Sequence, residues 1–148
     1  MSCIRELAML EPLIDTVEEK AIVTDHCMML SVDLYNVRKE ELNFVTPFRL
    51  KSLHEDRVHA LVVYFDMWFT SCHKIVHFST GPHAKYTHWK QTVFYLDEVL
   101  HVKVDDEIVG TLACKQNKKN PRDLDIKIHY KFQGEHNDCD RRQVFYIR

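Results

Sequence analysis

The sequence predicts an all-β domain: an antiparallel β-barrel or sandwich of about ten short strands, with one short N-terminal helix. Three observations carry that expectation. Leu124, Ile126, Ile128, Tyr130 and Phe132 alternate with Asp125, Lys127, His129 and Lys131, the period-two pattern of a half-buried antiparallel strand. Short apolar runs recur from Leu13 onward, divided by turn-forming clusters such as Asp105-Asp106-Glu107 and Asn117–Asp123. No internal repeat, low-complexity segment or Gly/Ser-rich linker divides the 148 residues, a length that suits one domain burying roughly 70% of its unfolded surface.

The elements follow in order. Ser2 can cap a helix over Ser2–Leu10 in which Ile4, Leu7 and Ala8 share one face, with Pro12 just beyond it. So short a helix needs a surface to pack on, either its own domain or another chain. Strands are expected at Leu13–Val17, Ala21–Thr24 and His26–Leu34, then a polar loop at Asn36–Glu41. Leu42–Val45 and Phe48–Leu53 come next, with Pro47 marking a bend or an edge position. Val58–Phe69 is apolar on both alternating faces and predicts a central strand covered on both sides. Val76–Ser79, Thr92–Leu96, Leu100–Val104, Ile108–Cys114, Leu124–Phe132 and Gln143–Ile147 complete the set, with Gln133–Asp140 polar.

Composition excludes several function classes. Net charge is −2, so no long-range field draws in nucleic acid, and neither nucleic acid nor membrane is an expected partner. The basic run Lys115–Arg122 reads as a solvated hairpin tip, with phosphate binding the weaker alternative. No apolar run approaches the ~20 residues of a membrane helix, and MSCIRELAML lacks the pattern of a signal peptide. Five scattered cysteines, an odd count without framework spacing, point to reduced thiols in the cytoplasm or nucleus. Only three glycines occur, Gly81, Gly110 and Gly134, too far apart to build a phosphate-cradling loop.

The chemical candidates are few. Cys72-His73 with His77, or His136 with Cys139, could pair metal ligands, but neither has a second pair at the usual distance, so no metal is expected. Cys72 beside His73 lacks a helix N-terminus or basic neighbour to make a nucleophile of it. The acidic pairs Glu18-Glu19, Glu40-Glu41 and Asp105-Asp106 sit in turn-like surroundings and read as solvated.

His77–Gln91, HFSTGPHAKYTHWKQ, is the stretch around which the others are arranged. A strand end meets Gly81-Pro82, where glycine offers backbone freedom and proline fixes φ. A polar loop then presents Thr87, His88 and Trp89 at the mouth of the next strand. A hydroxyl, an imidazole and an indole suit a planar, cationic or hydrogen-bonding group. Trp89 in a core and His88 as an ordinary exposed residue would be the bland account of the same pattern.

Four segments in order, SCI…EPLIDTV, VHALVVYFDMWF, HFSTGPHAKYTHWKQTVFYL and QNKKNPRDLDIKI, followed by a closing FYIR, resemble the C-terminal half of type I protein arginine N-methyltransferases. FSTGP followed by THWKQT is the most specific part of the match.

The resemblance implies that residues 1–10 are the last helix of a dimerisation arm and residues 11–148 the methyltransferase β-barrel domain. It implies a reaction in which methyl passes from S-adenosylmethionine to a guanidinium nitrogen of protein arginine, which depends on positioning and charge placement. His88 would orient the active site against an acidic residue of the cofactor domain. Trp89 would wall the arginine channel, and Thr87 would hold the loop by hydroxyl bonding. The expected partners are that cofactor-binding domain, Arg/Gly-rich protein substrates and a second subunit. The glycine-rich cofactor loop and paired glutamates of the family have no counterpart here. The chain is therefore expected to be a truncated or split product that binds no cofactor and methylates nothing alone. The alternative is a non-catalytic module that docks Arg/Gly-rich proteins or pairs with full-length enzyme. Either way, the face that a cofactor domain would cover should be apolar and exposed, favouring self-association.

Overall fold

A computed structural model describes residues 9–148. Nine strands form among them: β1 (Leu13–Asp15), β2 (Phe44–Lys51), β3 (Asp56–Val63), β4 (Asp66–Phe69), β5 (Val76–Ser79), β6 (Gln91–Val102), β7 (Glu107–Gln116), β8 (Leu124–Gln133) and β9 (Asp138–Ile147). Every pairing is antiparallel. The strands make a four-stranded sheet β2-β7-β8-β9, a three-stranded sheet β1-β6-β3 and a separate β4-β5 hairpin. The antiparallel all-β expectation holds. The helix expected over Ser2–Leu10 lies outside the described residues, except that Met9 and Leu10 form a turn.

Alternation builds the core. Ile126, Ile128, Tyr130 and Phe132 of β8 all face inward and are buried, while Lys127 and Lys131 between them are exposed. Ile108 and Leu112 of β7 and Phe145 of β9 share that inner face. Phe94, Leu96, Leu100 and Val102 of β6 close over it from the other sheet. The two sheets meet where Phe94 sets its ring edge against Phe145, centroids 5.0 Å apart.

No backbone ladder joins β6 to β9 among the described residues; polar side chains do that instead. The buried Gln143 amide accepts from the Asp97 N–H at 3.1 Å and donates to the Tyr95 carbonyl at 3.1 Å. Asn137 likewise accepts from the His101 N–H and donates to the Val99 carbonyl. Tyr130 of β8 donates its hydroxyl to Asp97 at 2.6 Å. Burial, with that carboxylate beside it, pushes the Tyr130 phenol far above the ordinary tyrosine range, so it remains a donor.

Several sequence expectations change. Val58–Phe69 is not one central strand. It breaks at Tyr64-Phe65 into β3, an edge of its sheet, and β4 of the separate hairpin. Thr80 causes the break: its N–H and hydroxyl both donate to the Phe65 carbonyl at 2.9 Å, and its hydroxyl accepts from the Phe65 N–H. Those are the groups a ladder partner would have used. His26–Leu34 forms no strand, because after a single bridge from Thr24 to Ser52 the chain meets no free edge. Met28 and Tyr35 are consequently 79% and 84% exposed. Ala21–Thr24 is likewise no strand, its start being taken into a single 3-10 turn at Glu19–Ala21.

Pairs of expected strands also merge. Leu42–Val45 and Phe48–Leu53 fuse into β2, with Pro47 on an edge strand, where its missing N–H costs least. Thr92–Leu96 and Leu100–Val104 fuse into β6, whose register against β3 jumps from Val58↔Leu100 to Ala60↔Tyr95. That bulge frees the Asp97 N–H for Gln143. β9 begins at Asp138, inside the stretch expected to be polar loop.

Gly110 sits where β2, β7 and β8 press together. A Cβ built there would lie 2.2 Å from the His129 carbonyl oxygen and 2.6 Å from Phe48 Cζ. The ring can rotate, but the carbonyl is held in the β8 backbone. Gly110→Ala is expected to destabilise the domain by about 3 kcal/mol, read as a lower urea midpoint at unchanged slope.

Candidate functional site

The site is built on the loop between β5 and β6, and a buried glutamine fixes its base. Gln91, the first residue of β6, donates its amide N–H to the Thr80 carbonyl at 2.7 Å and accepts from the Val17 N–H at 2.7 Å. One side chain thereby ties the loop's entrance, its exit and the end of the β1 segment together. The Gly81 N–H donates to Ser79 Oγ, and the Ala84 N–H to the Gly81 carbonyl. Gly81 does not use the left-handed backbone freedom expected of it, since no glycine here has positive φ. It is needed for room, because a Cβ would lie 2.7 Å from the His83 ring and 2.8 Å from Tyr64. The left-handed residue of this loop is Lys90, at φ 54°.

Thr87, His88 and Trp89 are brought together at the loop's end. Trp89 is 50% exposed and not a core residue. His88 is exposed and stacks on it, ring centroids 4.1 Å apart. Trp89 also stacks on Phe78 of β5 at 5.6 Å and meets Phe65 edge-on at 6.0 Å. Phe69 of β4 extends the cluster by stacking on Phe78. The half-buried Thr87 holds the loop differently from expectation. Its carbonyl accepts from the Lys90 N–H at 3.3 Å, while its buried hydroxyl has no hydrogen-bond partner among the described residues.

An exposed indole and imidazole on a phenylalanine base make an open aromatic rim. Phe65, Trp68, Phe69, Ile75 and Val76 continue it as exposed apolar surface over the β4–β5 hairpin. Sequence reasoning missed Gln91, Thr80 and the three phenylalanines. A polar residue opening an apolar run (Gln91 before Thr92–Leu96) was the available signal for the first. Gln91→Leu is expected to cost about 2 kcal/mol by stranding the Thr80 carbonyl and Val17 N–H. Amide exchange should accelerate first within Thr80–Gln91.

Residues 1–135 match the family described as the arginine methyltransferase oligomerization subdomain. The chain belongs to that family. Protein arginine N-methyltransferase 1.1 of Arabidopsis thaliana is 47% identical over 148 residues, covering all of this chain and 38% of the relative. Protein arginine N-methyltransferase 1 of Dictyostelium discoideum is 49% identical over 135 residues, 91% of this chain and 40% of the relative. The chain superposes on a chain of the Trypanosoma brucei PRMT1 enzyme–prozyme heterotetrameric complex with AdoHcy at TM-score 0.95. Identity there is 37%, over 99% of this chain and 47% of that one. Arabidopsis thaliana protein arginine methyltransferase 10, at TM-score 0.86 and 16% identity over 94% of this chain and 43% of that one, shares the fold. This chain thus spans about two-fifths of the length of the arginine methyltransferases it matches.

Proposed function

We propose that this chain is the substrate-channel and dimerisation half of a protein arginine N-methyltransferase that transfers methyl from S-adenosylmethionine to protein arginine. In this reading residues 11–148 are the barrel domain and residues 1–10 the end of a dimerisation arm. Trp89 walls the channel that receives the arginine, and His88 orients the rim against an acidic residue supplied by a cofactor domain. The observation that carries the reading is the open Trp89–His88 rim in a chain of this family. Arg/Gly-rich proteins fit such a rim, because a guanidinium is planar and stacks on indole.

In this reading no described residue of this chain holds S-adenosylmethionine. Gly81, Gly110 and Gly134 each have a side chain or carbonyl where a Cβ would fall, so none opens a cradle for a cofactor. In this reading the methyl donor is held by the cofactor-binding domain. The four described cysteines are unpaired, which supports a reducing compartment, cytoplasm or nucleus.

Titration of this chain with S-adenosylmethionine should give no heat. Mixing it with a separately produced cofactor-binding domain from the Arabidopsis relative should yield transfer of tritiated methyl to an Arg/Gly-rich peptide. Binding by the chain alone, or no transfer in the mixture, defeats the reading. The enzyme–prozyme nature of the Trypanosoma brucei relative supports a second reading, in which this chain pairs with full-length enzyme as a non-catalytic module. Capture of purified full-length enzyme without any gain in activity would favour it.

A further inference from the structure

Where β7 turns into β8, Lys115, Lys118, Lys119, Tyr146 and Arg148 line an open groove of about 410 Å³. We propose that this groove docks an acidic segment of a partner protein in extended conformation.

Some of the groove's charges are already satisfied. Asp123 and Asp125 also line the groove, but both serve the loop. Asp125 accepts from the Asn117 amide at 2.8 Å and Asp123 from the Asn120 amide at 2.7 Å. Asn117 Oδ1 in turn accepts from the Lys119 and Asn120 N–H groups, and Asn120 Oδ1 from the Arg122 N–H. The Gln116 amide closes the loop onto the Pro121 carbonyl at 2.6 Å. The hairpin tip is therefore a pre-organised support, which lowers the ordering cost of binding.

The cations are not used in this way. Lys115 lies directly across the ladder from Asp125, yet among the described residues Lys115, Lys118, Lys119, Arg122 and Lys127 make no ion pair. Arg148 reaches Glu11 only at 3.9 Å and otherwise lies over the Tyr146 ring. A chain of net charge −2 thus gathers unpaired cations in one place, with both neighbouring carboxylates half-buried and occupied.

The shape favours an extended peptide over a lone phosphate. A second groove of about 320 Å³ continues the first, sharing Lys115 and Asp125 and adding Lys127 and Val45. Val45 is 74% exposed on the edge strand β2. Cations thus alternate with apolar surface along a track, as an acidic peptide with interspersed apolar residues requires. A nucleic acid would want a longer field of one sign and more than one stacking ring.

Fluorescence anisotropy with a short fluorescein-labelled Asp/Glu-rich peptide tests this on the chain as it stands. Binding should saturate, and the Asn/Gln counterpart should not bind. Affinity should fall about tenfold in Lys118→Glu/Lys119→Glu and fall again as salt rises from about 50 to about 200 mM. Both lysines are exposed at the hairpin tip, and an unchanged melting curve verifies the fold of the double variant. Lys74→Glu, on the β4–β5 hairpin, should bind as the parent does. The proposal is overturned by absence of saturation, by undiminished binding in the double variant, or by tighter binding of a single-stranded oligonucleotide. Displacement of the peptide by low millimolar inorganic phosphate would also overturn it.

Discussion

Truncating Phe94 to alanine is expected to cost the domain about 4 kcal/mol, a large share of the ~5–15 kcal/mol that holds a domain folded. Phe94 is 2% exposed on β6 and Phe145 0% exposed on β9, and their edge-to-face contact joins the two sheets. Hydrogen bonds across that junction run through the Gln143, Asn137 and Tyr130 side chains, with no backbone ladder from β6 to β9 among the described residues. Packing therefore carries more of the load there than inside either sheet. Alanine removes the ring and leaves a cavity that paired strands on both sides cannot collapse into. Leucine, closer in volume, should cost about 1.5 kcal/mol. Urea unfolding followed by circular dichroism measures both. A double-mutant cycle with Phe145→Leu should show a coupling of about 1 kcal/mol from the ring pair itself. A loss below about 1 kcal/mol for Phe94→Ala would mean that the sheets do not depend on this junction.

Trp89→Ala should behave in the opposite way, changing function far more than stability. The indole is half exposed and packs on Phe78 and Phe65 at the surface, so its removal should move the unfolding free energy by no more than about 1 kcal/mol. If Trp89 walls the arginine channel as proposed, transfer to an Arg/Gly-rich peptide in the mixture with a cofactor-binding domain should fall about a hundredfold, because the guanidinium would leave its in-line position. Stability by urea titration and initial rate of methyl transfer, taken on the same preparation, separate the two effects. Unchanged transfer would remove Trp89 from the site. A collapse of stability would make it scaffold.

Much of the fold was legible because alternation is a local property. Leu124–Phe132 declares its buried face residue by residue, and β7 and β8 appear where expected. Val58–Phe69 misled because an uninterrupted apolar run carries no mark of where a ladder ends. The break at Phe65 is made by Thr80, fifteen residues away. His26–Leu34 misled for a related reason, since a strand needs a partner edge and no property of the segment supplies one. At the site, the THW loop could be read directly, whereas its support could not. Gln91 became a clamp only when folding brought Thr80 and Val17 to its amide.

The amino-acid order alone settles the antiparallel β class, the inward residues of β8 and the loop carrying Thr87, His88 and Trp89, because side-chain periodicity and turn chemistry act between near neighbours. The tertiary structure decides that Trp89 stands open to solvent on a phenylalanine base, that glutamine and asparagine side chains bridge the sheets, and that Lys115, Lys118 and Lys119 make no ion pair among the described residues while Asp123 and Asp125 are taken up by asparagine amides. Those outcomes depend on which groups meet across long stretches of chain, and competition for hydrogen bonds and space is resolved only where the strands pack.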